Sequence, residues 1–308
     1  MKCLAPISIR SPDDSSRTLR RWISPGKFRT ITSNWLSVPC GKCEACLSSR
    51  RQQWAFRLER EKLWSDSALF ITLTYDEVNA PIARDGSLHV SKRDCQLFMK
   101  KLRKKADFIY AQNSVPPEAR KPLRYYLTSE YGPETLRPHY HLLLFNLPFE
   151  SYDHAYKIIL ETWNKGVVQV GPLEDGGGSY AAKYILHPFE DLPKHLTKPF
   201  SLMSRRPGIG IEYLTPAMIG YFQRNKTYLT VQPGGYKVPL PRYYRKKIFD
   251  DETLKEISQN VIHQVDDDTF KTFESDLQKA GRSLHRDRQK NYRYRISKSL
   301  KERKNNGL

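Results

Sequence analysis

The chain is short of several things, and each shortage closes off a class of function. No run of 18 or more apolar residues occurs among its 308, so no segment reads as a membrane-spanning helix. The opening residues, MKCLAPISIRSPDDSS, hold no apolar stretch of the roughly 7–15 residues that a secretory signal needs. Cysteine is scarce and odd in number, five in all, which argues against a disulfide framework. Reduced thiols and a cytoplasmic setting are the expectation. Acidic residues are too few to balance the basic ones, 33 against 52, leaving a formal charge of +19 and a pI near 9.7. Such an excess repels itself unless a polyanion relieves it, and nucleic acid is the first candidate. An anionic membrane surface has little in its favour beyond charge. Apolar residues make up 39%, enough for a real core under a large ligand-facing surface.

What is present falls into an order. Residues 1–39 read as irregular and basic, and 40–46 as a cysteine knuckle, CGKCEAC. A helical stretch follows, with Trp54 and Leu58 on one face. ALFITLTYDE at 68–77 is rich in β-branched and aromatic residues and reads as a strand. Ser91 opens a helix with Asp94 as a capping-box-like partner. Its apolar face is Cys95, Phe98, Met99 and Leu102. LRYYLTSEY at 123–131 is a second strand, and HYHLLLF at 139–145 a third, apolar enough to be central. A helix over 151–163 and a short strand at 167–170 come next. SYAAKYIL at 179–186 is a short helix after a Gly176-Gly177-Gly178 hinge. From 187 to 247 no clean periodicity is visible, and 250–280 looks helical. Residues 281–308 carry ten Lys or Arg against Asp287 and Glu302, a basic helix or arm. The fold expected is α+β, a central antiparallel sheet with flanking helices, an N-terminal cysteine knuckle and a basic C-terminal tail. The domains expected are 1–66, 67–248 and 249–308.

Three constellations carry chemistry. His139 and His141 are two apart on a strand, so both imidazoles point to one face while Tyr140 points to the other. Two such rings can chelate a divalent cation. With eight histidines, chance gives roughly 0.2 such pairs, so spacing alone is weak. The preceding strand ends in Glu130, which an antiparallel hairpin would bring near the histidines as a carboxylate ligand. Its competing role is to pair with Arg124 or Arg137. Tyr180 and Tyr184 share a helix face bordered by Lys183. A phenol with a pKa near 10 needs help to attack phosphorus. A cation polarising the phosphate and a nearby ammonium would give it. The bland alternative is two tyrosines packing the helix onto the sheet. Cys40, Cys43 and Cys46 form C-x2-C-x2-C, expected by chance at roughly 0.001 per chain. Zinc wants four ligands, and Cys3 is the candidate fourth. Cys95 is the poorer one, because it lies on an apolar helix face. An iron–sulfur cluster and unliganded thiols are the other readings.

Taken together, these motifs resemble the replication initiators of the HUH endonuclease superfamily, in particular those of gokushovirus-type microviruses. PCGKCEAC at 39–46, FITLTY at 70–75, SEYGPETLRPHYHLLLF at 129–145, SYAAKYIL at 179–186 and SRRPGIG at 204–210 stand in the family's order. The resemblance covers about residues 39–210. It implies that His139 and His141 bind Mg²⁺ or Mn²⁺ and that Tyr180 and Tyr184 are the nucleophiles, with Lys183 assisting. The sheet would carry its helices on one side. Tyr140 stands where a large hydrophobic residue is usual, and the position of the acidic ligand varies across the superfamily.

The function implied is rolling-circle initiation: nicking one strand of origin DNA, holding its 5′ end on tyrosine, and later rejoining it. The partners would be single-stranded and origin DNA, a host polymerase and a host helicase, in the host cytoplasm and not at a membrane. Thr72 and Thr74 would shape the site or touch DNA, with simple strand propensity as the competing reading. Arg50, Arg51, Arg205 and Arg206 would track phosphates, as would Lys100, Lys101, Arg103, Lys104 and Lys105. Two alternatives stay open. One is a relaxase or single-strand transposase working by the same chemistry. The other is a zinc-stabilised nucleic-acid-binding protein without catalysis.

Overall fold

The computed structural model describes residues 6–10, 17–24, 27–33, 35–41, 43–132, 135–173, 193, 195–231 and 237–258. The tyrosine segment 179–186, Cys3 and the basic tail lie outside these residues. The chain divides after Arg50 into two compact units, the second spanning residues 51–259.

In the first unit the N-terminal stretch, expected to be irregular, forms strands. β1 (Ile7–Arg10) pairs antiparallel with β4 (Trp35–Val38), and β2 (Arg17–Ser24) with β3 (Lys27–Ser33). The register sets Trp22 opposite Phe28 and Leu19 opposite Ile31. Interspersed arginines and threonines hide that pattern from a reading by hydrophobic runs.

The second unit is built on five antiparallel strands in the order β8-β5-β7-β6-β9. They are β5 (Ala68–Thr74), β6 (Arg124–Tyr131), β7 (Pro138–Phe145), β8 (Val168–Pro172) and β9 (Ser201–Met203). The run 139–145 is central, as its composition implied. Alternation fixes which face is core: Leu69, Ile71 and Leu73 of β5 and Tyr140, Leu142 and Leu144 of β7 are all buried. Helices α2 (Lys92–Gln112) and α3 (Tyr152–Trp163) join that cluster through Cys95, Phe98, Met99, Leu102, Ile158, Ile159 and Trp163. The Trp163 ring lies 5.8 Å from both Phe98 and Tyr140.

The cap of α2 departs from the expected box. Ser91 Oγ accepts from the Asp94 backbone N–H as a cap should, but Asp94 does not reach back to Ser91. Its carboxylate accepts from Tyr75 Oη at 2.8 Å, and the Ser91 N–H donates to Tyr140 Oη at 2.7 Å. The phenol in the middle of the histidine motif therefore ties β7 to the start of α2, which accounts for a tyrosine at a position that only packing would fill with a hydrocarbon.

The opposite sheet face is covered at one end. Helix α1 (Glu44–Leu63) lies there, with Trp54 4.7 Å from Tyr126 and Leu58 fully buried. The described part of the region 187–247, which shows no periodicity in sequence, contains short pieces: β9, helix Pro216–Arg224, strands Leu229–Val231 and Lys237–Pro239 paired antiparallel, and the start of helix Arg242–Ile248.

Candidate metal and nucleic-acid site

The other end of that second face carries the histidines. Register sets His139 opposite Glu130 on one side and Thr74 on the other; His141 stands opposite Thr128 and Thr72. All six side chains share the face because paired residues in an antiparallel sheet point the same way. The carboxylate Oε2 of Glu130 lies 3.4 Å from His141 Nε2, both groups being largely enclosed. The other roles weighed for Glu130 are not taken up by Arg124, which pairs with Glu61 instead.

The two threonines hold the rings. Thr72 Oγ1 is 3.2 Å from His141 Nδ1, and Thr74 Oγ1 is 3.2 Å from His139 Nδ1. A hydroxyl accepting from Nδ1–H fixes the tautomer whose Nε2 lone pair is available to a cation. The Phe70 ring stacks on His141 at 5.8 Å and 15°. Phe70 was not singled out from the sequence, yet it shares the face of Thr72 and Thr74 by alternation, so the signal was there. His139 Nε2 lies over Gly132, where an added Cβ would stand 3.0 Å from it. Burial, and then the neighbouring His141, push the His139 pKa below the ordinary histidine value, while Glu130 acts against them. The ring is thereby kept neutral, as a ligand must be.

Two imidazoles and a carboxylate are a donor set that suits a divalent cation with open positions. Oxygen-rich sites take Mg²⁺ or Mn²⁺, and imidazole extends the range to softer ions. Facing the same opening are Gln169, opposite Thr72, and Ser201, opposite Thr128. Neither carries a motif that sequence reasoning could have caught.

The first unit holds a different cluster. The sulfurs of Cys40, Cys43 and Cys46 lie within 4.8 Å of one another, the one such group of three His, Cys, Asp or Glu ligand atoms among the described residues. The Cys43 backbone N–H donates to Cys40 Sγ at 3.3 Å. Zn–S bonds of about 2.3 Å at tetrahedral angles separate sulfurs by about 3.8 Å, close to this arrangement. Cys95 is fully buried on α2, as a core residue would be.

Of the other basic residues, Arg50 is exposed and Arg51 half-buried in α1, while Arg205 and Arg206 are exposed on the loop after β9. Lys100, Lys101 and Lys104 stand on the outer face of α2, on the far side of the sheet from the histidines.

Known proteins are similar to this chain in sequence. Residues 68–188 match a family model that describes replication-associated proteins of the ORF2 type. The chain is 29% identical to replication-associated protein VP4 of Bdellovibrio phage phiMH2K, over 68% of this chain and 66% of that one. It is 24% identical to replication-associated protein ORF2 of Spiroplasma virus 4, over 80% of each. With replication-associated protein ORF4 of Chlamydia phage 1 the identity is 22%, over 74% of this chain and 58% of that one. The resemblance to microvirus replication proteins read from the motifs is therefore shown. Among solved structures, the N-terminal nuclease domain of minute virus of mice non-structural protein 1 is similar at 12% identity, over 61% of this chain and 86% of that one. The TM-score is 0.20.

Proposed function

We propose that the protein initiates rolling-circle replication by nicking one strand of origin DNA. The observation that carries this is that His139, His141 and Glu130 share one sheet face, each imidazole held through Nδ1 by a threonine and Glu130 Oε2 beside His141 Nε2. The relatives named as replication-associated proteins support the same biology.

In this reading His139, His141 and Glu130 hold Mg²⁺ or Mn²⁺. The bound cation supplies Lewis-acid polarisation of the scissile phosphate. Tyr180 or Tyr184 attacks phosphorus: the phenolic oxygen–phosphorus bond forms, and the bond from phosphorus to the 3′-oxygen breaks. The phenol releases its proton to solvent and the 3′-oxygen takes one up, so the exchange of esters is balanced. Lys183 stabilises the phenolate or the charge on the phosphorane. The 5′ end remains as a phosphotyrosine, whose ester a later hydroxyl can attack to reseal the strand. Two tyrosines allow one to hold an end while the other cuts.

The nuclease occupies 67–248, with the second half of α1 packed onto it. Residues 1–66 carry a zinc clip made by Cys40, Cys43, Cys46 and Cys3, and 249–308 a charged tail. The setting is the host cytoplasm, where a host polymerase extends the 3′ end and a host helicase unwinds ahead. A relaxase or transposase would share the site but not the microvirus relatives.

The test is incubation of the full chain with a labelled single-stranded oligonucleotide from the origin region, with Mn²⁺ or with EDTA. A covalent adduct that needs the metal and vanishes in Tyr180→Phe/Tyr184→Phe is expected. DNA binding without an adduct, across origin sequences and metals, would leave only a binding protein.

A further inference from the structure

The loop 204–210, SRRPGIG, has a buried root and an exposed tip. Gly208, Ile209 and Gly210 are buried, while Arg205, Arg206 and Pro207 are exposed. Side chains from three distant segments satisfy the root. Arg124 Nη1 donates to Pro207 O at 3.0 Å and Nη2 to Gly208 O at 2.8 Å. Glu61, paired with Arg124, accepts from the Gly210 N–H. Arg57 Nε donates to Ile209 O at 3.0 Å, and Tyr244 Oη to Gly210 O at 2.7 Å. Gly210 has φ +74°, and a Cβ there would stand 2.6 Å from the Arg57 carbonyl oxygen, so only glycine fits. Arg57 is itself clamped between the rings of Trp54 and Tyr243, at 4.3 and 3.9 Å.

A buried ion pair adds little net stability compared with well-packed hydrocarbon. What Glu61 and Arg124 secure here is one loop conformation. That loop ends in two exposed arginines that make no ion pair among the described residues. A guanidinium on a fixed backbone loses less freedom on binding than one on a mobile arm, and its fork matches a phosphate. The loop also stands over the histidine face, because Arg124 and Glu130 are on the same face of β6. Phe145, opposite Arg124, is four residues from His141 and six from His139 along β7, or roughly 14 and 20 Å at strand rise.

We infer that loop 204–210 is a preformed site for the backbone of single-stranded DNA, with Arg205 and Arg206 each taking a phosphate about four to six stacked nucleotides from the scissile one. The inference rests on the nuclease reading for its direction from the metal site. Binding itself can be measured without cleavage.

The experiment is fluorescence anisotropy in EDTA with labelled oligothymidylate of 6 and of 20 residues, over a range of salt. The proteins are the full chain and Arg205→Ala/Arg206→Ala, a surface change that leaves the root intact. For the 20-mer the variant should bind about tenfold more weakly or worse, with a salt slope shallower by about 1.4, the value for two lost contacts on a single strand. A 6-mer bound on the loop should lose affinity as well. Equal 20-mer affinity and slope in the two proteins would overturn the proposal. A second variant, Arg124→Met/Glu61→Gln, keeps both surface arginines and frees the root. If it still folds by circular dichroism, it should lose 20-mer affinity as the arginine variant does; unchanged affinity would overturn the role of the lock. Failure of the adduct assay would sink the nuclease and leave these binding results standing.

Discussion

At one end of the sheet face the histidines are held through Nδ1 by neutral hydroxyls on the adjacent strand, with Glu130 beside His141 Nε2. At the covered end, Glu61 and Arg124 are buried with 4% and 8% exposure and spend their hydrogen bonds on a loop. The first arrangement rests on neutral partners about 3.2 Å away. The second is built for permanence, because a buried charge without its partner is costly. One face thus holds, beside the histidines, a site that must not change its shape. Polar groups on a sheet face acquire their role from depth as much as from kind.

The largest expected break in that contrast is Arg124→Ala. It strands the Glu61 carboxylate and should cost about 3–5 kcal/mol of unfolding free energy in urea titration. Mn²⁺ uptake by the molecules that remain folded should be unchanged, since the two ends share no hydrogen bond among the described residues. His141→Ala acts at the other end: adduct formation should fall by about a hundredfold or more, with urea stability nearly that of the parent. Thr72→Val/Thr74→Val keeps both imidazoles but frees their Nδ1 atoms. Mn²⁺ affinity by calorimetry should fall about 10–100-fold, with metal-free stability little altered. If affinity holds, the threonines are there only for strand propensity. Gly210→Ala adds to the left-handed backbone's cost of about 1–2 kcal/mol the shift that a Cβ 2.6 Å from the Arg57 carbonyl oxygen forces. It should lower urea stability while sparing Mn²⁺ affinity.

The histidine end was legible because its information is local. Period-two alternation puts Thr72 and Thr74 on one face and His139 and His141 on another strand's matching face, and the short hairpin brings Glu130 across. The helix at Ser91, the central place of 139–145 and the core role of Cys95 follow from the same kind of pattern. The covered end was not legible. Glu61 reads as one more charge in LEREKL, and Arg124 as the first residue of a strand. Only the fold brings together residues 63 apart in sequence, and no spacing encodes it. Strands β2 and β3 were missed because basic side chains break the apolar alternation on which a strand reading depends, and β1 and β4 because each is only four residues long. The tyrosines, Lys183 and Cys3 lie outside the described residues, and their roles rest on sequence.

The position of the histidines on a strand hydrogen-bonded along both edges has one more consequence. A slip of β7 by a single residue would turn His139 and His141 into the hydrocarbon and swing Tyr140 out to water. No partly competent version of the site is available from such a slip. On the function proposed above, cation uptake would report strand alignment: a molecule that takes up the ion has its sheet correctly threaded, and a misthreaded one would be silent.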